Sequence, residues 1–208
     1  MMNGNGKKRM EPMAVVAGSD KDNRQAQRIL NAALSCIAVK GYAEASLRDI
    51  ADEAGVALSQ LNYYFKNKEG LFNQVVKTLS VQYLREIESV IQGGKSKKER
   101  IHYLVTYFQQ MLSTKPELFK LLFDLSSKAI WSESLRSLLT NLFNDMTRII
   151  ERLIFKQEDS ERPLPLNQEP AVLARVLLGT VLGTSIQAML AKGQDDVMDS
   201  LTAIQGLF

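Results

Sequence analysis

The side chains whose types and spacing could do chemistry gather in one stretch, Ser46 to Leu71, which reads SLRDIADEAGVALSQLNYYFKNKEGL. It holds Arg48, whose planar fork suits guanine O6 and N7 or a phosphate, and the amides Gln60 and Asn62, each able to pair with adenine. Ser59, Tyr63 and Tyr64 add hydroxyls, and Lys68 adds a cation. Catalytic chemistry is scarce elsewhere. His102 is the one histidine and Cys36 the one cysteine of 208 residues, which rules out an intrachain disulfide or a cysteine-rich zinc site. The same scarcity argues against a histidine metal cluster or a Ser/His/Asp triad. Carboxylates such as Asp124 or Glu151 could in principle serve an enzyme, but no constellation supports them. No enzyme activity, metal or cofactor is expected.

Two short helices must present these groups. Ser46 caps a helix from Leu47 to Ala54, with Asp49 three residues on as a capping-box partner, and Gly55 stops it. A second helix follows from about Leu58 to Tyr64. The Ala54-Gly55-Val56 turn gives a helix-turn-helix, locked by Leu47, Ile50, Ala51, Val56 and Leu61, whose second helix would enter the major groove. Read alone, the pattern also fits two short helices of a bundle. A first helix from about Asp22 to Lys40 precedes them, ended by Gly41 in the left-handed conformation, and Asn67 caps a long fourth helix to about Ile91.

Downstream signals are helical throughout, with strand alternation nearly absent. Ser96 and Glu99 read as a capping box opening a helix to about Ser113, and Pro116 fits the first position of the next. Ser132 or Ser134 starts a helix to about Lys156, Gln157–Glu169 reads as a loop, Pro170 starts a helix to about Lys192, and a short helix spans about Asp196–Gln205. The chain is therefore all-α. Its expected parts are a flexible arm at 1–19, a DNA-binding unit at 20–66, and a ligand-binding and dimerisation domain at 67–208.

The stretch resembles the TetR/AcrR family signature, through Ser46, Ile50-Ala51, Ala54-Gly55-Val56, Leu61, Tyr63-Tyr64-Phe65, Lys68-Glu69 and Leu71, preceded by Lys40-Gly41-Tyr42. The resemblance covers about 50 residues, a length read from the sequence. It implies a three-helix DNA-binding domain with a helix-turn-helix, followed by a helical-bundle effector domain. It further implies a sequence-specific transcriptional regulator, released from a pseudo-palindromic operator by a small molecule. On that resemblance Arg48 reaches a base or phosphate, and Gln60 and Asn62 read bases beside Ser59. Tyr63 and Tyr64 contact phosphates or thymine methyls, and Lys68 holds a phosphate at a helix N-terminus.

Two departures stand out. Ala57 occupies a position where family members often carry a capping serine, a loss of about 1 kcal/mol that Ser59 or water could offset. Asn62 replaces a frequent aromatic, which should change the operator rather than the activity. Charge decides little: residues 20–70 hold seven Lys/Arg and seven Asp/Glu, and the whole chain carries +3. Three of the seven acids, Asp49, Asp52 and Glu53, lie on the second helix, and Lys7, Lys8 and Arg9 of the arm could add phosphate contacts.

For the C-terminal domain the resemblance implies a homodimer through the last two long helices. Leu135, Leu138, Leu139, Leu142, Met146 and Ile149 begin an apolar face that overfills one helix, while Val172, Val176, Gly179, Thr180, Gly183 and Ile186 give a second helix small residues for close approach. Candidate effector contacts are Tyr103, Tyr107, Phe108 and Met111, then Phe119, Phe123 and Trp131, with Gln187 as a polar contact. They favour a hydrophobic or cationic amphipathic effector. The segment Phe119 to Leu139 is loosely similar to the effector domains of a subgroup that includes choline-responsive repressors, but the ligand is not carried over. No apolar run reaches the roughly 20 residues of a membrane span, since Arg175, Gly179, Gly183 and Gln187 interrupt Val172–Leu190. Nor does the N-terminus read as a signal peptide, so the expected compartment is the cytoplasm and no membrane contact is expected. The rival reading is a ligand-binding helical adaptor with a degenerate helix-turn-helix.

Overall fold

The computed structural model describes residues 20–156, 168–191 and 195–208. Among the described residues every regular element is helical, in agreement with the all-α expectation. In chain order they are α1 (Asp20–Glu44), α2 (Leu47–Ala54), α3 (Leu58–Phe65), α4 (Lys68–Gln92), α5 (Lys97–Thr114) and α6 (Pro116–Ala129). There follow α7 (Glu133–Ile150), a π-helical turn (Glu151–Phe155), α8 (Pro170–Leu190), α9 (Asp195–Ala203) and a 3-10 turn (Ile204–Gly206). The arm at 1–19 and most of the loop expected at Gln157–Glu169 lie outside the described residues.

Local chemistry sets most of these bounds. At the start of α2 the Ser46 hydroxyl accepts from Asp49 N at 3.1 Å while the Asp49 carboxylate accepts from Ser46 N at 2.9 Å, completing the expected box. Gly55 takes φ 63, ψ 42, the left-handed helical conformation that a side chain disfavours. Gly55→Ala should therefore destabilise the fold by about 1 kcal/mol, lowering Tm by roughly 2–4 °C in a thermal melt. Ala57 precedes α3 with no side-chain cap, as its type dictates.

Three boundaries depart from expectation. Gly41 has the positive φ predicted (76°) but an extended ψ (167°), so α1 breaks there and resumes for one turn to Glu44. The cause is a long-range contact: Tyr42 N–H donates to Asp124 Oδ2 on α6 at 3.2 Å. At α5, Ser96 Oγ accepts from Glu99 N, but the Glu99 carboxylate accepts from Lys95 N at 2.7 Å, one residue before the cap. The helix expected to run to Lys156 widens into a π turn at Glu151–Phe155. Leu153, Ile154 and Phe155 are all buried. An α-helix turns each successive residue by 100°, and the wider turn keeps all three against the core. Arg100 of α5 pins it by donating to Leu153 O at 2.9 Å.

Two apolar clusters form the interior. The first joins α1, α2, α3 and the start of α4 through Ile29, Ile50, Leu61 and Leu71, and continues into α6 and α7 through Leu125 and Leu135. The second lies among α4, α5, α7, α8 and the C-terminal turns, around Ile91, Ile101, Ile150 and Leu177. Leu142 and Phe143 touch both clusters. The DNA-binding unit expected at 20–66 is thus packed on α6 and shares its core with it.

One helix, α8, is 21 residues long and apolar enough to cross a membrane by length and composition, despite the interruptions noted in the sequence. Its inner side, with Leu173, Ala174, Leu177, Leu178 and Val181, is buried in the second cluster. Arg175, Val172 and Val176 are exposed on its outer side.

Candidate nucleic-acid interface and interior cavity

In α3 the residues Leu61 and Phe65 are buried, and Leu58 is packed behind them. Helical spacing then turns the opposite side outward: Ser59, Asn62 and Tyr63 are exposed, with Tyr63 at 81%, while Gln60 is half-buried on the flank. No acidic residue occurs in α3, so nothing on this face repels a phosphate. Arg48, in the first turn of α2, is exposed as well. Lys66 ends α3 exposed, seven residues from Ser59, and joins the same face. It has φ 55, and the Asn67 N–H donates back to Phe65 O, giving a γ-turn that swings the chain into α4. Sequence reasoning missed Lys66, although its helical register with Ser59 could have marked it.

The two tyrosines divide their tasks. Tyr64 is half-buried and donates its hydroxyl to Asp22 Oδ1 on α1 at 3.1 Å, bracing α3 against the first helix. Tyr63 packs edge-on against Tyr64, with centroids 5.4 Å apart, and leaves its own hydroxyl outward. Asp49 is held by Lys40 at 2.8 Å, and this hydrogen bond, then those to Ser46, keep its carboxyl well below the usual range. A depressed folded value means its stabilisation is present above the ordinary value of 3.8 and is lost as pH falls below it. Asp49→Asn should accordingly flatten the fall of stability with acid below about pH 4, measured by denaturant melts at stepped pH.

Lys68 is engaged inward. Its Nζ donates to Ala43 O at 3.0 Å and sits 4.8 Å from the centroid of the Tyr42 ring. Burial, and then Lys128, lower its pKa. Lys128 of α6 lies over the same ring at 5.2 Å, and Tyr42 packs on Phe72 of α4 at 4.5 Å. Nearby, Glu69 accepts hydrogen bonds from the hydroxyls of Ser132 and Ser134, which hold its carboxyl below the usual range, Ser134 most. The junction of α1, α4 and α6 is therefore a polar latch around Tyr42. Asp124 belongs to it, and Glu151 pairs with Lys156 at 2.7 Å, so both candidate catalytic carboxylates have structural partners.

The family model described as "Bacterial regulatory proteins, tetR family" matches residues 29–75, from the middle of α1 to the start of α4. Residues 29–75 are thus similar to the tetR-family DNA-binding region. It is 30% identical over 86 residues to the fatty acid metabolism regulator protein of Bacillus subtilis (strain 168), covering 41% of this chain and 44% of that one. It is 33% identical over 88 residues to the nicotine-responsive transcriptional repressor HdnoR of Paenarthrobacter nicotinovorans, covering 42% and 45%. The alignment thus spans under half the length of these curated relatives. The crystal structure of FadR from Bacillus subtilis in complex with stearoyl-CoA shares the fold, with a TM-score of 0.67 at 21% identity, covering 87% of this chain and 96% of that one.

Behind the TetR-family domain a cavity of about 100 Å³ opens among α4, α5, α6 and α7, bordered also by Leu182 of α8. Of the expected effector contacts, Phe108, Met111 and Phe119 line it. Tyr107 instead donates its hydroxyl to Glu86 Oε2 at 2.9 Å, and Phe123 lies beside Phe119, centroids 6.4 Å apart, without lining the space. Three expected contacts lie outside. Tyr103 is 38% exposed, on the side of α5 away from buried Leu104, Val105 and Phe108. Trp131 is 89% exposed, because α6 has already ended at Ala129 and the turn carries the ring outward. Gln187 is on the exposed side of α8. Ser80 and Tyr83, which sequence reasoning did not single out, supply the polar atoms of the lining. Burial, then Glu86 and Glu117, push the Tyr83 hydroxyl up to about 12, so it stays protonated. Cys36 is buried and its thiol is raised, by burial foremost, while His102 is exposed with its Nδ1 3.1 Å from Gln205 Oε1.

Apart from Arg175 and Gln187, the outer side of α8 carries apolar and small residues. Val172 and Val176 are 41% and 48% exposed, and a Cβ added at Gly179 or Gly183 would meet nothing within 4 Å. The spacing 172, 176, 179, 183 keeps these residues on one side of a helix. On α7, by contrast, the apolar residues are spent inward: Leu135, Leu139, Met146 and Ile150 are buried, and Leu138, Leu142 and Ile149 are partly so.

Proposed function

We propose that this chain is a sequence-specific DNA-binding transcriptional regulator that works as a homodimeric repressor in the cytoplasm and leaves its operator when a small molecule fills the cavity. The observation that carries the reading is the outward polar face of α3, free of acidic residues and braced from behind by Leu61, Phe65 and Tyr64. Gln60, Asn62 and Ser59 read base edges, with Arg48 reaching a base or phosphate and Tyr63 meeting the backbone. Tyr64 serves mainly as the brace. Lys68 reaches a phosphate only by giving up its bond to Ala43 O, and meanwhile its charge adds to the positive end of α4.

Dimerisation through the outer side of α8 sets two α3 helices at the spacing of a pseudo-palindromic operator. The relatives support the effector role, one being named for its response to nicotine and another solved with stearoyl-CoA. Regulation follows from shared elements: α4 and α6 line the cavity, and both enter the latch around Tyr42 that holds the end of α1. A ligand that prefers a wider cavity shifts the population toward a dimer whose α3 helices no longer match two grooves. Footprinting the DNA that flanks the chain's own coding sequence tests the proposal. Two protected blocks about one helical turn or more apart are expected; uniform cutting at protein concentrations that saturate non-specific DNA would overturn it.

A further inference from the structure

The proposed function makes the cavity the effector site, and on that reading we infer that the effector is an uncharged, largely apolar molecule whose hydrogen-bonding group meets Ser80 Oγ. Ser80 Oγ is buried with no hydrogen-bond partner, and Ser80 lines the cavity. Among the described residues it is the one buried hydroxyl without a partner. Ser126, Thr147, Thr180 and Ser185 each donate to the carbonyl four residues before, at 2.7–2.8 Å. Ser80 has not taken that route, so its oxygen is left to whatever enters the cavity. A buried hydroxyl without a partner is costly, and a ligand group that bonds it recovers that cost on binding.

The remaining lining excludes charge. Apart from Ser80 and Tyr83 it is aliphatic, aromatic and methionine, and no Lys, Arg, Asp or Glu side chain borders the space. Of the two carboxylates whose charge reaches Tyr83, Glu86 and Glu117, the first is already committed: one oxygen accepts from Tyr107 and the other from Gln82, both at 2.9 Å. A cation would therefore be desolvated without a counter-ion, and an anion without a donor beyond two hydroxyls. The cationic alternative open from sequence is set aside here. The polar contact moves from Gln187 on the outside to Ser80 on the inside. Met111 and Met146 give the walls some adaptability in shape, without adding charge.

Four probes of one size test this on the full chain without DNA: toluene, benzyl alcohol, benzylammonium and benzoate, titrated by calorimetry near neutral pH. The two neutral probes should bind, the alcohol about tenfold tighter than toluene, while the two ions should bind at least about 100-fold more weakly. Ser80→Ala should remove the alcohol's advantage and leave toluene unchanged, without lowering Tm, since it deletes an unpartnered group. Leu139→Trp, which fills the cavity, should abolish binding of both neutral probes. Equal or tighter binding of either ion, an alcohol-to-toluene ratio unmoved by Ser80→Ala, or no binding by either neutral probe would overturn the inference. Operator release is read separately: a neutral probe that binds through Ser80 yet leaves the DNA complex intact counts against the release mechanism and for this inference.

Discussion

Replacing Gln60 and Asn62 together by alanine should lower affinity for the operator by about 1,000-fold while leaving non-specific DNA binding nearly unchanged. Each bidentate amide–base contact contributes roughly 1–3 kcal/mol of discrimination. Two such residues in each of two half-sites give at least about 4 kcal/mol, or three decades in Kd. The fold should not suffer, because Asn62 is exposed and Gln60 is on the flank of α3, outside the core built by Leu61 and Phe65. The contrasting variant is Arg48→Ala. If Arg48 meets a phosphate, affinity falls alike for all sequences and the salt slope drops by about 0.9 per contact; if it meets guanine, the loss is confined to the operator. Anisotropy titrations on operator and scrambled DNA, repeated over a salt series, separate the two.

Gly183→Arg should convert the dimer to a monomer and weaken operator binding by about 100-fold or more, the advantage that linking two half-site contacts confers. Space around Gly183 in the protomer is open, so a long side chain there clashes with nothing in its own chain. Replacing a mid-helix glycine should even help α8 form, by up to about 1 kcal/mol. Loss of dimer without loss of protomer stability is therefore the expected combination, read by sedimentation velocity alongside a thermal melt. A variant that stays dimeric with unchanged affinity would place the interface elsewhere. The outer side of α8 is favoured because Val172, Val176 and Leu190 expose apolar surface there, whereas the apolar residues of α7 are largely consumed by the protomer's own core.

Local chemistry was legible in the sequence and long-range chemistry was not. The capping box at Ser46, the glycine turn at Gly55, the asparagine cap at Asn67 and the proline at the start of α6 all follow from residues within four positions of each other. So does the division of α3 into an inner and an outer side. What escaped depends on contacts far along the chain. The backbone at Gly41 is set by Asp124, 82 residues away. Lys68, expected to hold a phosphate, folds back on Ala43 and Tyr42. Among the aromatics expected at an effector site, helical spacing alone could not tell Phe108, which faces the cavity, from Trp131, which faces solvent. Ser80 escaped because an apolar pattern around it gives no sign that its hydroxyl will forgo the usual carbonyl four residues back.

The central claim is sequence-specific DNA recognition by the outer face of α3. Selection of bound fragments from a random-sequence DNA pool at about 150 mM salt, which weakens phosphate-only contacts, tests it most directly. The account predicts enrichment of one inverted repeat, lost with Gln60→Ala and Asn62→Ala. A folded, ligand-free dimer that enriches no sequence over background would contradict it, leaving the helix-turn-helix as scaffold and the chain as a ligand-binding adaptor.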